Sequence, residues 1–91
     1  MEILFSEEAI KQINRFKRIN KNDVENFLKF LLEDENFKKS WRQAMRENSK
    51  TDPFEISLYD PEFDVSIFAS TIPAENKMTV TKVKRGNHMK F

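Results

Sequence analysis

Lys82, Lys84, Arg85 and His88 stand within seven residues of one another, and His88 is the chain's one histidine. These are the residue types that RNA cleavage without a metal requires. A base must take the proton of a ribose 2′-hydroxyl, cations must stabilise charge developing around phosphorus, and the departing oxygen needs a proton. Lys and Arg donate to phosphate oxygens and supply the electrostatic part. A histidine changes charge near neutral pH and serves as acid or base. On this reading Arg85, His88 and Lys84 are candidate catalytic residues, and Lys82 adds a contact to nucleic acid. The plainer reading is an edge strand shielded by lysines, with an ordinary exposed histidine after it.

A second basic set, Lys38, Lys39, Arg42 and Arg46, has the spacing of one helix face. Facing RNA, Lys39, Arg42 and Arg46 would bind backbone phosphates and steer association. The same residues also make an ordinary wet face of an amphipathic helix.

Charge is segregated in the C-terminal part. Pro53 to Glu75 holds five acids and no Lys or Arg, and Asn76 to Phe91 holds five bases and no acid, although the net charge is only +1. Pairing between neighbouring strands would explain this split, at about 0.2–1 kcal/mol per pair. Alternatively Asp60, Glu62 and Asp64 form a partner-binding face for a basic protein surface. The same triplet resembles the start of a calcium loop. However, Val65 occupies the position that needs Gly and Thr71 the position that needs Glu, so no metal is expected. Gly86 is the only glycine, which removes the glycine-rich phosphate and dinucleotide loops. One His and no Cys exclude a standard structural zinc site, and no cofactor is expected.

These residues need elements to position them. Ser6 is the expected N-cap of a first helix, followed by Glu7 and Glu8 where the helix dipole favours acids. Ala9, Ile10, Ile13 and Phe16 form its apolar stripe, and Lys17 and Arg18 close it. Asn22 and Glu25 have capping-box spacing. Val24, Phe27, Leu28, Leu31 and Leu32 then recur at the helical period. The connection from Ile19 to Lys21 is short, which predicts a helical hairpin. A third helical segment is expected from about Glu35 to Asn48, with Phe37, Trp41, Ala44 and Met45 on one face. Turn-rich residues from Asn48 to Pro53 should end it.

Three strands are expected next. Phe54, Ile56 and Leu58 alternate with polar residues, as do Phe63, Val65 and Ile67 after a turn at Asp60 and Pro61. Met78 and Val80 share one parity and Val83 has the other. That strand is therefore either buried on both faces or bulged between Val80 and Val83. Gly86 permits a kink before a last extended piece from His88 to Phe91.

The order is β-α-α-(α)-β-β-β, an α+β class. The N-terminal strand and helical hairpin are expected on one face of a small antiparallel sheet, in one domain spanning 1–91. At 38% apolar residues the core depends on nine Phe and one Trp, since each aromatic buries roughly 150–250 Å². The N-terminal residues have neither the basic nor the apolar region of a secretory signal. No apolar run approaches the ~20 residues that span a bilayer. With cysteine absent, these features suggest a reducing, cytoplasmic setting.

The layout resembles the RelE/ParE superfamily of small toxins. It shares a short strand running into a capped helix (Ile3-Leu4-Phe5-Ser6-Glu7-Glu8-Ala9), a helical hairpin (Ile10 to Glu33), and a sheet whose last strand ends in a basic, His-bearing terminus (Val80 to Phe91). The resemblance implies an endoribonuclease that cleaves mRNA at the ribosome and is neutralised by an antitoxin. It carries over to Arg85 and His88. Two departures stand out. Phe54 to Ser70 contains no Lys or Arg, and Phe91 has no phenolic hydroxyl. The alternative from a different class is a non-enzymatic protein-binding module, such as a small inhibitor, docking through its acidic sheet face or its basic helix.

Overall fold

The computed structural model describes residues 2–47 and 53–88. In chain order the elements are β1 (Glu2–Phe5), α1 (Glu7–Asn14), α2 (Lys21–Glu33), α3 (Glu35–Glu47), β2 (Phe54–Asp60), β3 (Val65–Ile72), a 3₁₀ turn (Pro73–Glu75) and β4 (Lys77–Arg85). The fold is α+β, with helices packed on a four-stranded sheet of order β1-β4-β3-β2.

The expected antiparallel meander holds for β2, β3 and β4. β1 is not part of the helical layer. It joins the sheet as an edge strand parallel to β4, which makes the sheet mixed. The three helices between β1 and β2 are long enough to reverse the chain, so nothing forces β1 into an antiparallel register.

Ser6 caps α1 as expected: its Oγ accepts from the Ala9 amide at 3.1 Å and donates to the Thr81 carbonyl at 3.4 Å. One hydroxyl thus starts the helix and ties it to β4. α1 stops at Asn14, not at Lys17–Arg18, because the Arg15 and Phe16 amides turn back to the Gln12 and Ile13 carbonyls in a tightened last turn. The cap of α2 lies two residues before the expected one. Asn20 and Asp23 form the capping box, with reciprocal bonds of 2.9 Å. The earlier register wins because it places Ile19 just before the cap and Val24 four positions after it. Both are buried in the core, the arrangement of a hydrophobic staple.

The core joins Ala9 and Ile13 of α1 and Val24 and Leu28 of α2 to Val65, Ile67, Ala69, Met78, Val80 and Val83 on one face of the sheet. α3 closes the β2 side through Trp41, which stacks on Phe37 at 6.0 Å between ring centroids and meets Phe54 at 5.8 Å. The side chains of Ala44 and Met45, expected on that face, lie outside the described residues. So do the segment 48–52 of the expected turn and residues 89–91 of the expected last extended piece.

The parity change in β4 is a bulge. Phe68 pairs with Lys82 and Ala69 with Val80, leaving Thr81 without a partner on β3. Its hydroxyl donates to the Phe68 carbonyl at 3.3 Å. β3 begins at Val65, two residues later than the alternation suggests. Pro61–Asp64 forms the hairpin loop, with Asp64 in the left-handed region at φ 54°, a conformation Asp tolerates better than most residues. Among the described residues no helix is long and apolar enough to cross a membrane.

Candidate nucleic-acid interface

β1 pairs with β4 only as far as Val80, so β4 has a free edge from Thr81 onward. α1 covers that edge. Gln12 Oε1 accepts from the Val83 amide at 2.7 Å, replacing the missing neighbouring strand. The C-terminal end of α1 is thereby held beside the end of β4. Arg15, Lys84, Arg85 and His88 meet there around a hollow of about 360 Å³. A second hollow of about 680 Å³ continues from it, sharing Arg15 and Arg85 and adding Lys17, Arg18 and Asp64.

Successive strand residues point to opposite faces, and the register places Lys84 on the open face of the sheet and Arg85 on the helical face. Both still line the smaller hollow because it lies at the end of the strand, where the two faces meet. The guanidinium carbon of Arg85 is 6.0 Å from the centroid of the Phe16 ring. Lys82 and Lys84 each hold their ammonium 5.9 Å from the ring centroid of Phe68 on the open face.

The segment after β4 is pinned from beneath. Gly86 takes φ 86°, a value natural only for glycine, and its amide donates to the Asp64 carbonyl at 2.7 Å. Ser66 is fully buried under this segment. Its hydroxyl donates to the Gly86 carbonyl at 2.6 Å and accepts from the His88 amide at 2.8 Å. His88 Nε2 is 2.7 Å from the Arg85 carbonyl oxygen. A carbonyl only accepts, so Nε2 carries the proton. In the neutral ring Nδ1 then keeps its lone pair and is the basic atom.

Among the described residues, cross-strand neutralisation, one expected reading of the charge split, does not occur. β3 (Val65–Ile72) contains no charged residue and separates β4 from β2. Among the described residues the one ion pair joins Lys38 to Glu35 at 3.6 Å. No described carboxylate comes within 4 Å of the charged nitrogens of Arg15, Lys17, Arg18, Lys84 or Arg85. The hollow therefore keeps a net positive field, which is strongest at low salt.

The acidic triplet is divided by the fold. Asp60 is only 3% exposed and accepts from the Glu62 amide at 3.0 Å. It shapes the turn and, at the edge of a hollow between α2 and the turn, shows a partner little of its surface. Glu62 and Asp64 are exposed. Asp64 accepts from the Tyr59 hydroxyl at 2.6 Å. That bond first, then partial burial and the charges of Asp64 and Asp60, hold the Tyr59 phenol above its ordinary value of 10.0. A raised folded-state value means that the favourable contribution is complete below pH of about 10 and is lost as pH rises through the folded value. Tyr59 is the only tyrosine, so ultraviolet titration reads this group alone. The midpoint should lie above 10.0 and fall in Asp64→Asn, which removes the carboxylate charge. A midpoint unchanged by that substitution would contradict the bond.

The α3 stripe is elsewhere. Lys39, Arg42 and Arg46 are exposed, and none of them lines the hollows that hold Arg85. Arg15, Lys17 and Arg18 were not legible as site residues, because Lys17 and Arg18 read as the dipole-complementing end of a longer α1 and Arg15 fell inside that helix. The signal that would have found them is the Asn20–Asp23 capping box, which ends α1 early and turns this stretch into a connection. Among the described residues no three His, Asp or Glu side chains group as metal ligands. No protein-family model matches the chain, and no curated protein or solved structure matches it either.

Proposed function

We propose that this chain is a toxin-like, metal-independent endoribonuclease that cleaves mRNA, acting at the ribosome under the control of an antitoxin. The observation that carries the reading is the meeting of Arg15, Lys84, Arg85 and His88 at one hollow where no carboxylate of the described residues is ion-paired to them. His88 Nδ1 takes the proton of the 2′-hydroxyl. The 2′-oxygen then bonds to phosphorus while the bond from phosphorus to the 5′-oxygen breaks. Arg85 and Arg15 donate to the non-bridging oxygens, where charge develops. Lys84 gives the 5′-oxygen its proton. The products are a 2′,3′-cyclic phosphate and a 5′-hydroxyl, and proton exchange with water restores His88 and Lys84. The test is incubation of the purified chain with mRNA on translating ribosomes and, in parallel, with free RNA and a chelator, followed by analysis of the new ends. Cyclic phosphate ends are expected, and intact RNA in both reactions would sink the reading.

A different observation favours the alternative of a non-enzymatic protein-binding module. Phe30 is 69% exposed. With Phe27, Pro61 and Phe63 it lines an apolar hollow of about 450 Å³ whose rim includes Asp23 and Glu62. Such a surface suits a partner segment that carries an apolar anchor between basic residues. Under this reading Phe30→Asp would weaken a purified complex by about 30-fold or more, as for a central interface residue. Calorimetry with the isolated partner checks this, and an unchanged affinity would rule out this face.

A further inference from the structure

We propose that Phe68 is a stacking platform for an unpaired RNA base beside the scissile phosphate, an inference that rests on the ribonuclease reading above. The helices cover one face of the sheet and leave the other open except at Ser66, which lies under the segment 86–88. On that open face the register surrounds Phe68 with small hydroxyl side chains: Ser57 directly across on β2, and Ser66 and Ser70 two residues either way along β3. Phe68 is half-buried, so its ring is held at the centre of the sheet by its neighbours while part of it meets solvent.

The two ammonium groups beside it set the chemistry of the occupant. Lys82 and Lys84 each stand 5.9 Å from the ring centroid, and no described carboxylate pairs with either. A flat apolar ring flanked by two unpaired cations matches a nucleotide, whose base stacks while its phosphates meet the ammonium groups. A basic protein segment is disfavoured by the same two charges. The base must be unpaired, because a duplex keeps the faces of its bases covered.

Lys84 also fixes the place of this subsite relative to the chemistry. It lines the hollow that holds Arg85 and His88 and stands over Phe68. A strand whose base rests on Phe68 therefore has its phosphate at Lys84, at the mouth of the hollow. The bulge at Thr81 makes this arrangement. It returns Lys82 and Lys84 to the open face while Val80 and Val83 both remain in the core.

The experiment is a fluorescence-anisotropy titration of the full chain with a labelled 2′-O-methyl RNA of about eight nucleotides, which cannot be cut, as a single strand and as a duplex. Phe68→Ala should weaken single-strand binding by about 5- to 150-fold, the range for loss of one stacked base. Phe68→Trp should retain it, and duplex binding should not respond to Phe68→Ala. Phe68→Leu keeps the apolar bulk without a π face and must show the same loss, so a folding defect in the Ala variant does not decide the outcome. If Phe68→Ala and Phe68→Leu leave the affinity unchanged while Lys84→Ala lowers it, RNA is held by phosphate contacts alone. The stacking subsite is then overturned and the ribonuclease reading stands. If the unaltered chain binds neither RNA, the ribonuclease reading falls and the subsite falls with it.

Discussion

Replacing His88 by Ala should slow RNA cleavage by about two to four orders of magnitude, the range for removing one general acid or base. Arg85→Ala should slow it by about two to three orders, as expected when a donor to developing charge is lost. Neither side chain is buried. His88 is held at its backbone amide by Ser66 and at its ring by the Arg85 carbonyl, and neither contact belongs to the core. Both variants should therefore melt close to the unaltered chain. The measurement is the initial cleavage rate on one RNA substrate, with thermal melting in parallel. Lys39→Ala is the control, because Lys39 is exposed on α3 and lines neither hollow that holds Arg85. Equal rates for His88→Ala and the unaltered chain would remove His88 from the chemistry. A loss of similar size in Lys39→Ala would show that general electrostatics, not the hollow, controls the rate.

Ile67→Ala should have the largest effect on stability. Ile67 is fully buried on a central strand, between Leu58 of β2 and Val83 of β4. Truncating such a residue costs about 2–5 kcal/mol, because transfer free energy is lost and the cavity closes only in part. A domain of this length has roughly 5–14 kcal/mol in total. The substitution thus removes a large share, and Tm should fall by roughly 8–40 °C. Thermal unfolding followed by circular dichroism checks it. A fall of only a degree or two would mean that Ile67 does not sit at the centre of the core.

Local patterns made much of the architecture legible. The α2 stripe, the Ser6 cap, the helix face that carries Trp41 and the parity change between Val80 and Val83, with a bulge as one of its two readings, were all readable, because each depends on spacing along a few residues. Boundaries were less readable where two local signals competed. Asn20–Asp23 and Asn22–Glu25 both fit a capping box, and the burial of Ile19 decides between them. Likewise the alternation through Phe63 extends β3 too early, since periodicity does not register the left-handed turn at Asp64.

The candidate site divides along the same line. Arg85 and His88 stand out in the sequence because their types and closeness suffice to mark them. Their surroundings depend on contacts between segments far apart in the chain. Gln12 and Val83 join across 71 residues and bring Arg15 to Arg85. The strand order β1-β4-β3-β2 places uncharged β3 between the basic strand and β2, so the bases of β4 form no ion pair among the described residues. Composition lists the charges but does not set their distances, and Coulomb energies depend on distance and solvent exposure. The α+β class and the Arg85–His88 pair were therefore legible in the chain itself. The parallel edge strand, the burial of Asp60 and the addition of Arg15, Lys17 and Arg18 follow only from packing in three dimensions.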